Sequence, residues 1–201
     1  MSPYRILATR RARVRVVGTP HRTLLNVLHG VMTARPTTVA PLSLAELSAL
    51  TSAVADDVRA GLHEVHADSE SRWHVRLRCD DEVDVWLISW TQEQGTQLHD
   101  HGGSSGAFTV VSGRLSEAVW TPGAEVLTET ERGAGDSVLF GQHYVHDVRN
   151  VHAETAVSVH AYSPPLAQMN YSDVDGHQLT RLASVWTDDP EAPAPDLRAV
   201  S

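Results

Sequence analysis

A chain of 201 residues with 41% hydrophobic and 20% charged residues is long enough for one sizeable core and has the composition of a soluble globular protein. Its formal charge of −9 argues against a nucleic-acid or anionic-membrane surface as the main partner, and no apolar run approaches the roughly 20 residues of a membrane span. A single cysteine, Cys79, excludes an intramolecular disulfide, which fits a reducing compartment.

The start, MSPYRILATRRARVRVVG, is basic but has neither an apolar signal core nor a cleavage site, so a cytoplasmic protein is expected. In residues 21–33, Leu24, Leu25, Leu28 and Val31 fall on one helical stripe. Residues 43–65 predict a stronger helix: Ser43 and Glu46 have the form of a capping box, and Leu47, Leu50, Val54, Val58 and Leu62 recur at helical intervals. From about residue 73 the pattern turns to alternation, in RWHVRLR and VDVWLISW. AFTVVSG, LSEAVW, AEVLTET, DSVLF, HDVRNV and TAVSVHAYS follow as further strands. Turn residues punctuate them at intervals of about 8–12 residues, the rhythm of an antiparallel sandwich or barrel. The acidic, Pro-rich end, WTDDPEAPAPDLRAVS, reads as a loose tail.

On a strand, His99 and His101 point the same way and can share one metal ion, with Asp100 on the opposite face. A third ligand is expected from GDSVLFGQHYVHDVRN, which offers His143 and His146; three residues apart, only one of them would bind. In TAVSVHAYSPP, Ser158, His160 and Tyr162 share a face. Either they form a polar chain inside a barrel, with the phenol near the metal, or they are a solvated polar row.

Gly95-x3-His99-x-His101 followed by Gly113, and Gly135-x5-Gly141 followed by His146-x3-Asn150, resemble the two motifs of the cupin superfamily. That resemblance selects His146 over His143 as the third ligand. Where many metal cupins carry a glutamate ligand, this chain has Gly106. Three neutral imidazoles would then hold the ion, a set that fits Fe, Zn, Cu or Ni. More particularly, HDHGGSSGAF, HDVRN and AVSVHAYSPP resemble the cysteine dioxygenase family, over roughly residues 70–170. The resemblance implies an all-β-dominated fold: a jelly-roll-like cupin barrel over 71–175, a helical segment over 1–70 packed on it and a partly flexible extension over 176–201, in a single domain.

It further implies an Fe(2+) centre on His99, His101 and His146, with Tyr162 as the catalytic phenol supported by His160 and Ser158. An arginine on an early strand holds the substrate carboxylate: Arg76 matches best, with Arg72 and Arg78 as alternatives. Ser163–Pro164 matches a peptide bond that is often cis in the family. Animal members carry a cysteine cross-linked to the tyrosine where this chain has Gly106, so Tyr162 is expected to be unmodified and Cys79 to be an unrelated buried residue. The implied activity is oxidation of the thiol of L-cysteine to the sulfinic acid with both atoms of O2, by a monomer (a dimer stays open). The alternatives are 3-mercaptopropionate or another small thiol as substrate, a non-catalytic cupin that binds a metal or small molecule, and a zinc or nickel cupin isomerase.

Overall fold

Ser43 caps the first described helix. Its side chain accepts from the backbone N–H of Glu46, and the Glu46 carboxylate takes the N–H of Ser43 at 2.8 Å, closing the expected capping box. The computed structural model describes residues 40–190; the stripe at 21–33 lies outside the described residues. Helix α1 runs Leu44–Arg59 and stops short of the expected residue 65. Gly61, at φ +76°, receives the chain after the last turn, and its N–H and that of Leu62 close onto Val58 and Asp57 carbonyls.

The strands are β1 (His74–Cys79), β2 (Asp84–Trp90), β3 (His99–Asp100), β4 (Ser105–Ser112), β5 (Arg114–Thr121), β6 (Val126–Gly133), β7 (Ser137–Phe140), β8 (His146–Arg149), β9 (Ala156–Ser163), β10 (Gln168–Asp175) and β11 (Gln178–Trp186). They form two antiparallel sheets, ordered β1-β2-β9-β4-β7 and β11-β10-β3-β8-β5-β6. Consecutive strands repeatedly switch sheets, which is the jelly-roll, cupin-type architecture expected from the sequence.

Strands β2 and β9 are buried at every residue, because the first sheet is covered on both faces. On the inner face, Trp86, Ile88, Trp90, Phe108, Phe140 and Tyr162 fill the space between the sheets. On the outer face, Val85, Leu87, Val157, Val159 and Ala161 pack against α1. The helix buries Leu47, Thr51, Ala55 and Val58, whereas Leu50 and Val54 are only flanking and Leu62 is 69% exposed. Small Thr51 and Ala55 face β4, and Thr109 donates to the Thr51 hydroxyl at 2.8 Å.

Strands β10 and β11 have no counterpart among the strands expected from sequence. In QMNYSDVD the apolar Met169 and Tyr171 alternate with Asn170 and Ser172, which are equally buried. Asn170 is satisfied by Asp100 at 2.6 Å and Ser184 at 2.6 Å, so a polar row serves as a sheet interior. Strand β11 is largely exposed at the sheet edge and carries the pairing into residues 178–186. Among the described residues, no helix is long and apolar enough to cross a membrane.

Candidate metal centre

His99 and His146 stand directly opposite each other on β3 and β8, so their side chains leave one face together. His101, two residues beyond His99, returns to that face. Ring centroids lie 4.9 Å apart for His99–His101, 4.8 Å for His99–His146 and 5.3 Å for His101–His146. One ligand nitrogen from each lies within 4.8 Å of the other two, and all three side chains are buried. Asp100 turns away to Asn170, the Gly102 N–H and Arg181, and His143 is exposed. Of the two candidates, His146 stands in the cluster with His99 and His101, and His143 does not.

The donor set fits a transition-metal ion. The Nδ1 atoms of His99 and His146 lie 2.7 Å from the Gln97 carbonyl and 3.0 Å from a Glu117 carboxylate oxygen. Each Nδ1 therefore carries a proton, which leaves Nε2 as the atom that can face an ion. His101 brings a buried Nδ1 without a hydrogen-bond partner among the described residues, an orphaned polar atom of the kind a ligand-binding site leaves. Burial, with the nearby His146 imidazole, pushes His99 down to about 3; burial likewise holds His101 well below the ordinary histidine range. The His99 and His101 rings are thus neutral, as ligation requires, and imidazole nitrogen suits Fe, Cu, Zn or Ni rather than Ca or Mg.

Gly106 faces the same region. A Cβ there would sit 2.4 and 2.5 Å from Phe140 ring atoms and 2.7 Å from the Ala161 carbonyl. Phe140 therefore fills the volume that a glutamate ligand or a cross-linking cysteine would need. Cys79, expected to be buried, is exposed, because it ends the edge strand β1.

Tyr162 is 2% exposed, and its ring lies 4.8 Å from His101. Ser158 and His160 are also buried on that face, joined by a 2.8 Å bond between the hydroxyl and Nε2. Of the two orientations open to the row Ser158–His160–Tyr162, the one inside the barrel is therefore found. The Trp90 indole donates to Ser158 at 2.8 Å, and Phe108 stacks on His160 at 5.1 Å. Ser163–Pro164 is cis.

The three arginines separate clearly. Arg78 pairs with Asp80 and Glu82 at the surface. Arg76 lies over the Trp86 ring at 4.3 Å and pairs with Asp188 at 3.1 Å. Trp86 is in register with both Arg76 and His160, so Arg76 joins the inner row. Arg72 lies over Trp90 at 4.5 Å, and its charge acts on both His99 and His160.

Sequence reasoning missed Glu117. It is fully buried on β5 and takes His146, Tyr144 and Arg132. Burial works to raise its carboxyl, but these hydrogen bonds and charges outweigh it and hold the group below the ordinary carboxylate range. The available signal was a charge in LSEAVW sharing a strand face with Leu115 and Val119. Asp84 is a second missed carboxylate, pushed up to about 6 by burial.

These values predict how the metal-free protein responds to acid. His99 and His160 sit near 3 when folded, against about 6.5 when unfolded. Their contribution is intact above pH 6.5 and is lost as pH falls toward 3. Asp84 has the opposite sign: its folded value is raised, so its contribution is full below about 3.8 and lost as pH rises through 6. Two deeply buried histidines outweigh one carboxylate. The melting temperature is expected to fall continuously between pH 7 and pH 4 in calorimetry, and a rise over that window contradicts the assignment.

A two-sheet cupin-type barrel around three inward imidazoles defines the class. The family model described as cysteine dioxygenase type I matches residues 46–174, and the chain belongs to that family. It is similar to the cysteine dioxygenase type 1 of Danio rerio, 30% identical over 113 residues, which is 51% of this chain and 56% of that protein. It is also similar to that of Rattus norvegicus, 26% identical over 154 residues, 65% of this chain and 76% of that protein. The chain thus spans little more than half of the Danio rerio relative. Similar solved structures include oxalate oxidase in complex with glycolate, with a TM-score of 0.46 and 14% identity over 55% of this chain and 60% of that one. An RmlC-like cupin from Desulfovibrio desulfuricans has a TM-score of 0.44 and 14% identity, covering 52% and 93%.

Proposed function

We propose that the protein is an iron-dependent thiol dioxygenase that converts L-cysteine and O2 to cysteine sulfinic acid. The observation that carries this reading is the convergence of His99, His101 and His146 beside the buried phenol of Tyr162, in a chain of the cysteine dioxygenase family. When bound by the three imidazoles, Fe(2+) supplies a cation that favours the thiolate and brings it beside O2. The balance needs no outside reductant: R–SH and O2 give R–SO2H, with both oxygen atoms on sulfur.

The chain's own residues then have defined tasks. Gln97 and Glu117 fix the tautomers of His99 and His146. Tyr162 donates a hydrogen bond to the oxygen being transferred, and the Trp90–Ser158–His160 chain lines the same face beside it. Arg76 takes the substrate carboxylate in fork geometry, exchanging its Asp188 partner for the substrate. Arg72, placed over the Trp90 ring, is the alternative anchor. The inner core around Phe108 and Phe140 excludes water.

The test is an oxygen-electrode assay on anaerobically purified protein, with metal analysis and a panel of L-cysteine, cysteamine and 3-mercaptopropionate. Near one iron per chain and uptake with L-cysteine are expected. Tyr162→Phe is expected to lower uptake by about 100-fold, the usual worth of one oriented donor in a dry site. Whichever of Arg76→Ala and Arg72→Ala abolishes the preference for L-cysteine over cysteamine marks the carboxylate anchor. Tightly held zinc without thiol-dependent uptake overturns the proposal in favour of another metal cupin. Equal or faster turnover of 3-mercaptopropionate overturns the choice of cysteine.

A further inference from the structure

The Glu117 carboxylate lies one hydrogen bond behind the candidate ion and has no solvent exposure. One oxygen takes His146 Nδ1 at 3.0 Å and the Tyr144 hydroxyl at 3.0 Å; the other takes Arg132 Nε at 2.9 Å and the second guanidinium nitrogen at 2.8 Å. The pairing follows from the sheet. Glu117 and His146 are diagonal neighbours, since Val119 is in register with His146 on β8. Arg132 is diagonal on the other side, since Leu115 is in register with it on β6.

A buried carboxylate with this many donors could be only an ion pair tying β6 to β5. Two further observations give it a task at the centre. First, the three imidazoles are unequal: among the described residues, His99 leans on a neutral carbonyl, His101 Nδ1 has no hydrogen-bond partner, and only His146 has a charged one. Second, Phe140 fills the space beside Gly106, so position 106 cannot lend a carboxylate to the ion. Three neutral ligands leave the positive charge of a bound dication undiminished, and Glu117 is the carboxylate hydrogen-bonded to one of the three.

We propose that Glu117 is the charge-setting positioning residue of the metal centre. Acting through His146, it replaces a directly bound carboxylate with one held a hydrogen bond away. It makes His146 the strongest donor of the three, tightens metal binding and favours the more oxidised ion. Arg132 and Tyr144 moderate it by competing for the same oxygens. This rests on the reading of His146 as a ligand, and its test does not use thiol turnover.

The experiment measures Fe(2+) affinity by chelator competition and the Fe(3+)/Fe(2+) midpoint potential on the full-length chain, with melting of the metal-free protein in parallel. Glu117→Gln keeps the shape and removes the charge. Affinity is expected to fall 10–100-fold, the usual worth of an outer partner of a metal-bound histidine. The potential is expected to rise by 59 mV for each tenfold by which the ferric loss exceeds the ferrous loss. Tyr144→Phe leaves the shared oxygen to His146 alone and is expected to shift both quantities the opposite way. That sign is not expected of a purely structural ion pair, and it decides the matter even if Glu117→Gln fails to fold. Unchanged affinity and potential in Glu117→Gln, or Tyr144→Phe moving them in the same direction as Glu117→Gln, overturns the inference. A wild-type chain that binds no iron overturns the ligand reading itself.

Discussion

Replacing His101 with leucine is expected to abolish stoichiometric metal retention and thiol-dependent O2 uptake together, while leaving the metal-free protein folded. His101 stacks on Phe140 at 4.8 Å and lies 4.8 Å from Tyr162, so leucine occupies an apolar wall of similar size. In the metal-free state the imidazole brings a buried Nδ1 without a partner, and an unsatisfied group of that kind costs about 1–3 kcal/mol. Removing it offsets much of the lost ring packing. With metal the sign reverses. Loss of one of three imidazoles is expected to weaken binding by more than about 100-fold, since even outer partners of such ligands are worth 10–100-fold. The measurement is metal per chain after dialysis against a chelator, with melting curves with and without added Fe(2+). A leucine variant that keeps the wild-type metal content, or the wild-type gain in melting temperature on adding metal, removes His101 from the centre.

Gly106→Cys, which brings in the residue that animal relatives are expected to carry, is predicted to be destabilising rather than to create a cross-link. Its Cβ would meet Phe140 at 2.4 Å and the Ala161 carbonyl at 2.7 Å. Phe140 is 1% exposed and packed against His101 and Tyr144, and the carbonyl belongs to the paired strand β9, so neither neighbour can move freely. Overpacking of this kind costs about 1–3 kcal/mol, and at about 2–4 °C per kcal/mol the melting temperature is expected to drop by roughly 2–12 °C. The thioether to Tyr162, visible as a mass lower by two hydrogens, is expected to be absent. A second change, Phe140→Ala, opens the space, so the two substitutions together are expected to cost less than their sum. A single Gly106→Cys variant with wild-type melting temperature contradicts close packing of Phe140 against position 106.

Local chemistry made much of the centre legible in the sequence. Alternation in a strand is a property of two or three residues, so His99-x-His101 and Ser158-x-His160-x-Tyr162 announce shared faces without any knowledge of the fold. The capping box at Ser43 and Glu46 is equally local. Choosing His146 over His143 needed the family resemblance, because two histidines three apart on one strand cannot be ranked by periodicity. Strands β10 and β11 escaped notice because their polar residues are satisfied by neighbouring strands, as Asn170 is by Asp100 and Ser184. A partner brought in from another part of the chain leaves no mark on local composition.

The chain by itself therefore determined which residues could act as ligands and which faces they share, since both follow from residue type and the two-residue repeat of a strand. Tertiary structure alone decided their surroundings. The register between β3 and β8 sets His99 opposite His146, and the diagonal across β5 brings Glu117 beneath it. The Phe140 ring closes the space at Gly106, and the edge position of β1 leaves Cys79 exposed. These are relations between segments tens of residues apart, and they exist only once the two sheets have closed over a common core.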